Sequence, residues 1–179
     1  MLKAAQLIDE LVSRNFTIAF CESLTAGRAC ATVADVPGAS RVLRGGLVTY
    51  ATDLKESLAG VSSGVLEAYG PVSPETAREM ARGARRVCGA TWGASLTGVA
   101  GPDLQDGHPV GEVYIGISGP NWTAAWPAAE LVAPEVARFT VVEGHGTPLH
   151  VLAGSREEIR AHAVDAVLEG LLRVVREQN

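Results

Sequence analysis

Phe16-Thr17-Ile18-Ala19-Phe20-Cys21-Glu22-Ser23-Leu24-Thr25-Ala26-Gly27 is the stretch whose reading decides the fold. Its first six residues are short, apolar and partly β-branched, the pattern of a strand buried inside a sheet. Small residues from Thr25 to Ala34 then fit a helix lying close on that sheet, and Val36-Pro37-Gly38-Ala39-Ser40 breaks it with turn chemistry. Upstream, Leu7, Ile8, Leu11 and Val12 recur at helical spacing; downstream, a second strand is expected from Gly45 to Ala51.

The same signals continue outward. Ser73-Pro74 sets a capping hydroxyl before a proline at the first helical position, and Ala77, Met80, Ala81 and Ala84 share one face of the run to Val87. Thr91 to Thr97 reads as a strand, Val110 to Ser118 as another, and Trp122 to Trp126 as its partner. Arg138 to Val142 is a further β-like segment before a Gly/His/Pro loop. Ser155-Arg156-Glu157-Glu158 then forms a capping box opening a terminal helix to about Glu177. Strands and helices alternate in the first half and strands follow one another around 110 to 143. A three-layer α/β/α fold with a mixed sheet is expected, as one domain over 1–179.

A chain of 179 residues that is 47% hydrophobic can bury a continuous core without staples. Its net charge of -5 and 5% aromatic content supply neither a phosphate-attracting field nor stacking platforms, so nucleic acid is not expected as a partner. Cys21, Cys30 and Cys88 are odd in number and set among apolar neighbours, which suits a reducing cytoplasm. The start meets Asp9 and Glu10 before a signal-type apolar region could form, and no stretch approaches the ~20 apolar residues of a membrane span. Neither secretion nor a membrane partner is expected.

Four groups of residues could carry chemistry. Loops at strand C-terminal ends are where α/β sheets hold ligands, and helix-start N–H groups favour an anion or oxyanion, so Ser23 and Thr25 could face substrate. The plainer alternative is that both hydroxyls cap the helix. Cys21, closing an apolar strand, reads as inert packing. Ser40 lies in a tight turn and Lys55 beyond the next strand, a candidate Ser/Lys pair needing neither histidine nor metal. Lys55 can be a base only if neutral, and an ordinary lysine of pKa about 10.4 is charged at neutral pH unless burial or a cation shifts it. The alternative is a solvated lysine at a helix start.

Thr97-Gly98-Val99-Ala100-Gly101-Pro102 lets a ligand approach the backbone, or is a simple strand-to-loop turn; it lacks the length and lysine of a triphosphate loop. Arg156 sits where its charge opposes the helix dipole, explained either by an anionic ligand or by local pairing with Glu157 and Glu158. His108, His145, His150 and His162 show no metal-ligand spacing, and no metal is assigned; His145 and His150 are expected to face solvent or a rim.

In order and spacing, Glu22-Ser23-x-Thr25-x-Gly27, Asp35-Val36-Pro37-Gly38-x-Ser40, Arg44-Gly45-Gly46-x-Val48-x-Tyr50, Lys55 and Gly60-Val61 resemble the CinA C-terminal domain family. Val72-Ser73, Thr97 to Pro102, Pro109-Val110-Gly111-x-Val113-Tyr114 and Gly154-Ser155-Arg156 continue the likeness over nearly the whole chain. The resemblance implies a stand-alone, cytoplasmic, homodimeric amidohydrolase that uses no metal or cofactor. It would convert nicotinamide mononucleotide to nicotinic acid mononucleotide and ammonia through a Ser/Lys dyad. Carried over, Lys55 is the general base, Tyr50, Thr97 and Arg156 belong to the pocket with Thr25, Gly98 and Gly101, and Ser40 and Ser23 both match active-site serines. Ser40 is the favoured nucleophile, with Ser23 orienting the amide, and Arg156 with helix-start amides would hold the 5'-phosphate. This chain departs from the family pattern at Leu24-Thr25-Ala26-Gly27, at the loop Asp103 to Gly111 and in a longer region from Trp122 to Val151. The competing expectation is a nucleotide-binding or regulatory module without turnover.

Overall fold

The computed structural model describes residues 2–141 and 147–178. The amphipathic start forms α1 (Leu2–Ser13), and the deciding stretch gives β1 (Ile18–Glu22), buried at every position, followed by α2 (Arg28–Ala34). A 3-10 turn at Ala39–Arg41 leads into β2 (Leu43–Val48), α3 (Thr52–Ser57) and α4 (Ser63–Tyr69). The long amphipathic α5 (Pro74–Cys88) is capped by Ser73, whose Oγ accepts from the Thr76 N–H, and ends on left-handed Gly89. Then come β3 (Trp92–Gly98), β4 (Val113–Ser118), β5 (Thr123–Pro127), β6 (Ala137–Thr140), β7 (Leu149–Leu152) and α6 (Arg156–Glu177), which opens with the expected capping box.

Five strands form one mixed sheet in the order β2-β1-β3-β4-β5, parallel from β2 to β3 and antiparallel beyond. Alternate residues of β1 feed two cores. Ile18 and Phe20 join α1, α2 and α6 on one face, whereas Ala19 and Cys21 meet Met80 and Ala84 of α5 on the other. The α/β/α class expected from the sequence is thereby met.

α5 lies unusually near its sheet. A Cβ added at Gly93 would stand 2.1 Å from the Ala81 carbonyl oxygen, and one at Gly116 2.2 Å from that of Ala77. Only a missing side chain permits that approach.

Several boundaries differ from expectation. α2 begins at Arg28 rather than Thr25, because Leu24 to Gly27 is occupied by a turn in which Ala26 and Gly27 are left-handed. β2 is shifted toward the N-terminus, ending before Thr49. β4 starts only at Val113, since Pro109 to Glu112 closes a turn with the Glu112 N–H donating to the Pro109 carbonyl. β6 does not extend the main sheet but pairs with β7, which falls in the stretch expected to be a Gly/His/Pro loop. His150 of β7 stacks on Phe139 of β6 at 4.6 Å, while Val142 and His145 lie outside the described residues. No helix is long and apolar enough to cross a membrane among the described residues.

Candidate active site

The order β2-β1-β3 means that the chain leaves β1 for one neighbour and returns later to the other. Such a reversal opens a crevice at the strand C-termini, where α/β sheets place ligands. The pocket found there is lined by Ser23 after β1, Tyr50 and Lys55 after β2, Thr97 to Gly101 at and just beyond the end of β3, and Arg156 of α6.

Lys55 is its floor. The side chain is 2% exposed, and Nζ donates to Ser23 Oγ at 3.1 Å and to the Thr49 carbonyl at 3.1 Å. Burial lowers its pKa from the ordinary lysine value, with the Cys21 thiol acting weakly the other way. No carboxylate forms an ion pair with it among the described residues. Once neutral, Nζ can take the Ser23 proton while still donating to Thr49, so the pair is arranged for proton transfer. Lys55 is therefore not a solvated surface residue: α3 turns it inward beneath Ser23.

Ser40 is placed elsewhere. It is exposed on the 3-10 turn between α2 and β2, is not among the pocket-lining residues, and makes no hydrogen bond to Lys55. The expectation that Ser40 pairs with Lys55 is corrected to Ser23. Thr25 also fails to line the pocket; it is fully buried, with its hydroxyl unpaired among the described residues and its carbonyl accepting from Arg160 at 2.9 Å. Neither Ser23 nor Thr25 caps α2, whose N-cap is Gly27.

The expected anion site at the start of α2 is already filled from within. Glu22, 1% exposed, accepts from the Gly27 and Ala29 N–H groups at 3.0 Å each and from Cys30 at 2.9 Å. A ligand phosphate has no free amides to take there. In the sequence, the only signal of this role is an acidic residue closing an apolar strand just ahead of a helix start.

Thr97 is buried and its Oγ1 donates to the Pro71 carbonyl at 2.6 Å, tying β3 to the segment that leads into α5. Gly98 and Gly101 line the pocket. At the mouth, Arg156 donates to the Tyr50 hydroxyl at 2.9 Å and to the Gly101 carbonyl, rather than pairing with Glu157 or Glu158. Tyr50 is 55% exposed, so it belongs to this rim and not to the floor. Asp103 and Gln105, from the departing loop, also reach the pocket and were not foreseen. That loop is pinned by His108 Nδ1, 3.0 Å from Glu112, whose other oxygen accepts from the Tyr114 hydroxyl at 2.9 Å.

Cys21 is a packing residue beside this site. Its Sγ lies 3.3 Å from Thr49 Oγ1, and burial pushes its thiol up to about 11, away from nucleophilic use.

Known proteins share this architecture. A competence damage-inducible protein from Klebsiella pneumoniae superposes with a TM-score of 0.83 over 99% of this chain and 98% of that one, at 22% identity, a likeness of fold. A competence/damage inducible protein from Agrobacterium tumefaciens gives 0.77 at 28% identity, over 98% and 94% of the two chains. A CinA-like protein of Frankia casuarinae is 44% identical over 146 residues, 80% of this chain but 34% of that protein, so the chain spans about a third of that curated relative. Residues 2–130 match the CinA C-terminal domain, well over half of the sequence, and the chain belongs to that family.

Proposed function

We propose that the chain is a nicotinamide-nucleotide amidase, hydrolysing the carboxamide of nicotinamide mononucleotide to the carboxylate and ammonia, with Ser23 as nucleophile and Lys55 as base. The observation that carries this reading is the dry lysine amine 3.1 Å from a serine hydroxyl at the floor of a pocket with a guanidinium at its mouth. A primary amide at one end and a phosphate at the other is the substrate shape that fits those two groups.

Ser23 Oγ attacks the carboxamide carbon while its proton passes to Lys55 Nζ. Leu24, which follows the nucleophile, lines the pocket, and its backbone N–H, without a protein acceptor among the described residues, is the donor for the oxyanion so formed. Collapse breaks the C–N bond, and the proton held on Lys55 leaves with ammonia. Water then attacks the ester, returning a proton through Lys55 to Ser23 and freeing the acid. Arg156 holds the phosphate at the mouth.

Ammonia release from nicotinamide mononucleotide, compared with nicotinamide and asparagine, tests the reading. Release is expected from the nucleotide alone. It should be lost in Ser23→Ala and stay within about twofold in Ser40→Ala, as befits a surface change. Binding without release would make the chain a nucleotide-sensing module, and loss in Ser40→Ala with activity kept in Ser23→Ala would reverse the assignment of the nucleophile.

A further inference from the structure

We propose that Glu22 is a positioning residue for the dyad, its buried carboxylate holding the serine turn in place and its backbone carbonyl the strand end that carries the lysine's acceptor. The inference rests on the Ser23/Lys55 reading above and extends it to a residue that touches neither substrate nor reacting atoms.

Three backbone N–H groups, of Gly27, Ala29 and Cys30, converge on the two Glu22 oxygens. A carboxylate can accept all three; an amide cannot, because its NH2 would face a donor. These bonds close the turn over Leu24 to Gly27, where left-handed Ala26, with φ 50°, is a conformation that an L-residue adopts only under constraint. Ser23 immediately precedes that turn, and its carbonyl accepts from the Ala26 N–H at 3.1 Å. The backbone of Glu22 acts on the other partner: its carbonyl accepts from the Thr49 N–H at 2.9 Å, and the Thr49 carbonyl accepts from Lys55 Nζ at 3.1 Å. One residue therefore fixes the hydroxyl from one side and the amine from the other.

A negative charge this near the dyad would ordinarily favour protonated lysine. Spending the Glu22 charge on helix-start amides lets an anion sit behind the site while Lys55 is shifted down by its burial. The titratable neighbours are Cys21 and Cys30, whose thiols burial pushes up to about 11 and about 12, so neither adds charge across the working pH range. From α6, Arg160 donates to the Leu24 and Thr25 carbonyls at 2.9 Å each and Arg156 stands at the mouth, both keeping a fixed positive charge over that range.

Glu22→Gln is the test, followed by ammonia release from nicotinamide mononucleotide and by labelling of Ser23 with a fluorophosphonate, read by mass spectrometry as a function of pH. For a cooperatively folded variant, kcat is expected to fall on the order of 100-fold with KM held within about threefold, since the rim is untouched. The rising limb of both pH profiles should also move to higher pH, as water reaching Lys55 outweighs the loss of a carboxylate charge that the turn amides already offset. A residue that only stabilised the fold would lower the active fraction and leave the limb where it is; that result, or unchanged kcat, overturns the proposal. If Glu22→Gln does not fold, Glu22→Asp keeps the charge one methylene short, and a smaller shift of the same limb is expected, an unmoved limb again being the overturning result. Wild-type labelling at Ser23 without ammonia release would sink the choice of substrate while leaving the Glu22 comparison readable. A wild type that neither labels nor deamidates has no dyad to position, and the inference falls.

Discussion

The floor and the mouth of the pocket are built on opposite principles. Lys55 and Ser23 are buried, reached only through strand ends and short turns, and tied to one another and to backbone. Arg156 and Tyr50 project from a helix start and a loop, and meet each other at the surface. A group that must change its proton affinity needs a place without water, whereas one that captures an anion must keep its charge and can stay wet. Under the proposed function, that difference puts chemistry at the floor and capture at the mouth.

The largest expected effect tests that division at its deepest point. Lys55→Met should lower kcat on the order of 1,000-fold, the scale of a lost general base, while calorimetry still detects nucleotide binding. In the wild type, activity should rise with pH through the lowered pKa of Lys55, because the neutral amine is the working form. Unchanged turnover would remove the floor from the chemistry.

At the mouth the pattern should invert. Arg156→Ala is expected to raise KM about tenfold with kcat within about threefold, as for a contact made equally in ground and transition states. A fall in kcat with constant KM would show that floor and mouth are not separable.

The smallest effect is on stability, and it has a definite sign. Folded Lys55 binds its proton less tightly than unfolded lysine does. Between the lowered folded pKa and the unfolded value of about 10.4 the unfolded chain therefore holds more protons, and stability rises with pH across that window. Lys55→Met removes the burial penalty, so its Tm should exceed that of the wild type by a few degrees at pH 7, and the gap should narrow toward pH 10. Thermal melts at the two pH values check this; an equal gap at both would mean that Lys55 is not held dry.

How far the sequence foretold these regions follows from the range of the interactions involved. β1, α5 and α6 were legible because their signals are local: a continuous apolar run, a Ser-Pro start, a capping box. Lys55 and Arg156 were singled out on their chemistry, and the pocket contains both. The choice between Ser23 and Ser40 was not legible, because it depends on where β2 and α3 turn Lys55, a long-range matter that residue spacing does not encode. Thr25 was misplaced for a related reason: Glu22 supplies the helix-start anion that a threonine cap would otherwise approximate, and that displaces the start of α2 to Arg28. β7 was missed because four residues of strand carry too little pattern to stand out from a loop.

The seam at Gly93 and Gly116 bears on how such a fold can drift. α5 rests directly on bare backbone there, and the N-terminal approach to the same helix supplies Pro71, which holds Thr97 at the pocket wall. A single methyl group at either glycine would act as a wedge under a rigid rod and tilt its far end. A mutational screen for lost amidase activity should accordingly recover alanines at this remote seam beside changes in the dyad itself, although neither glycine lines the pocket.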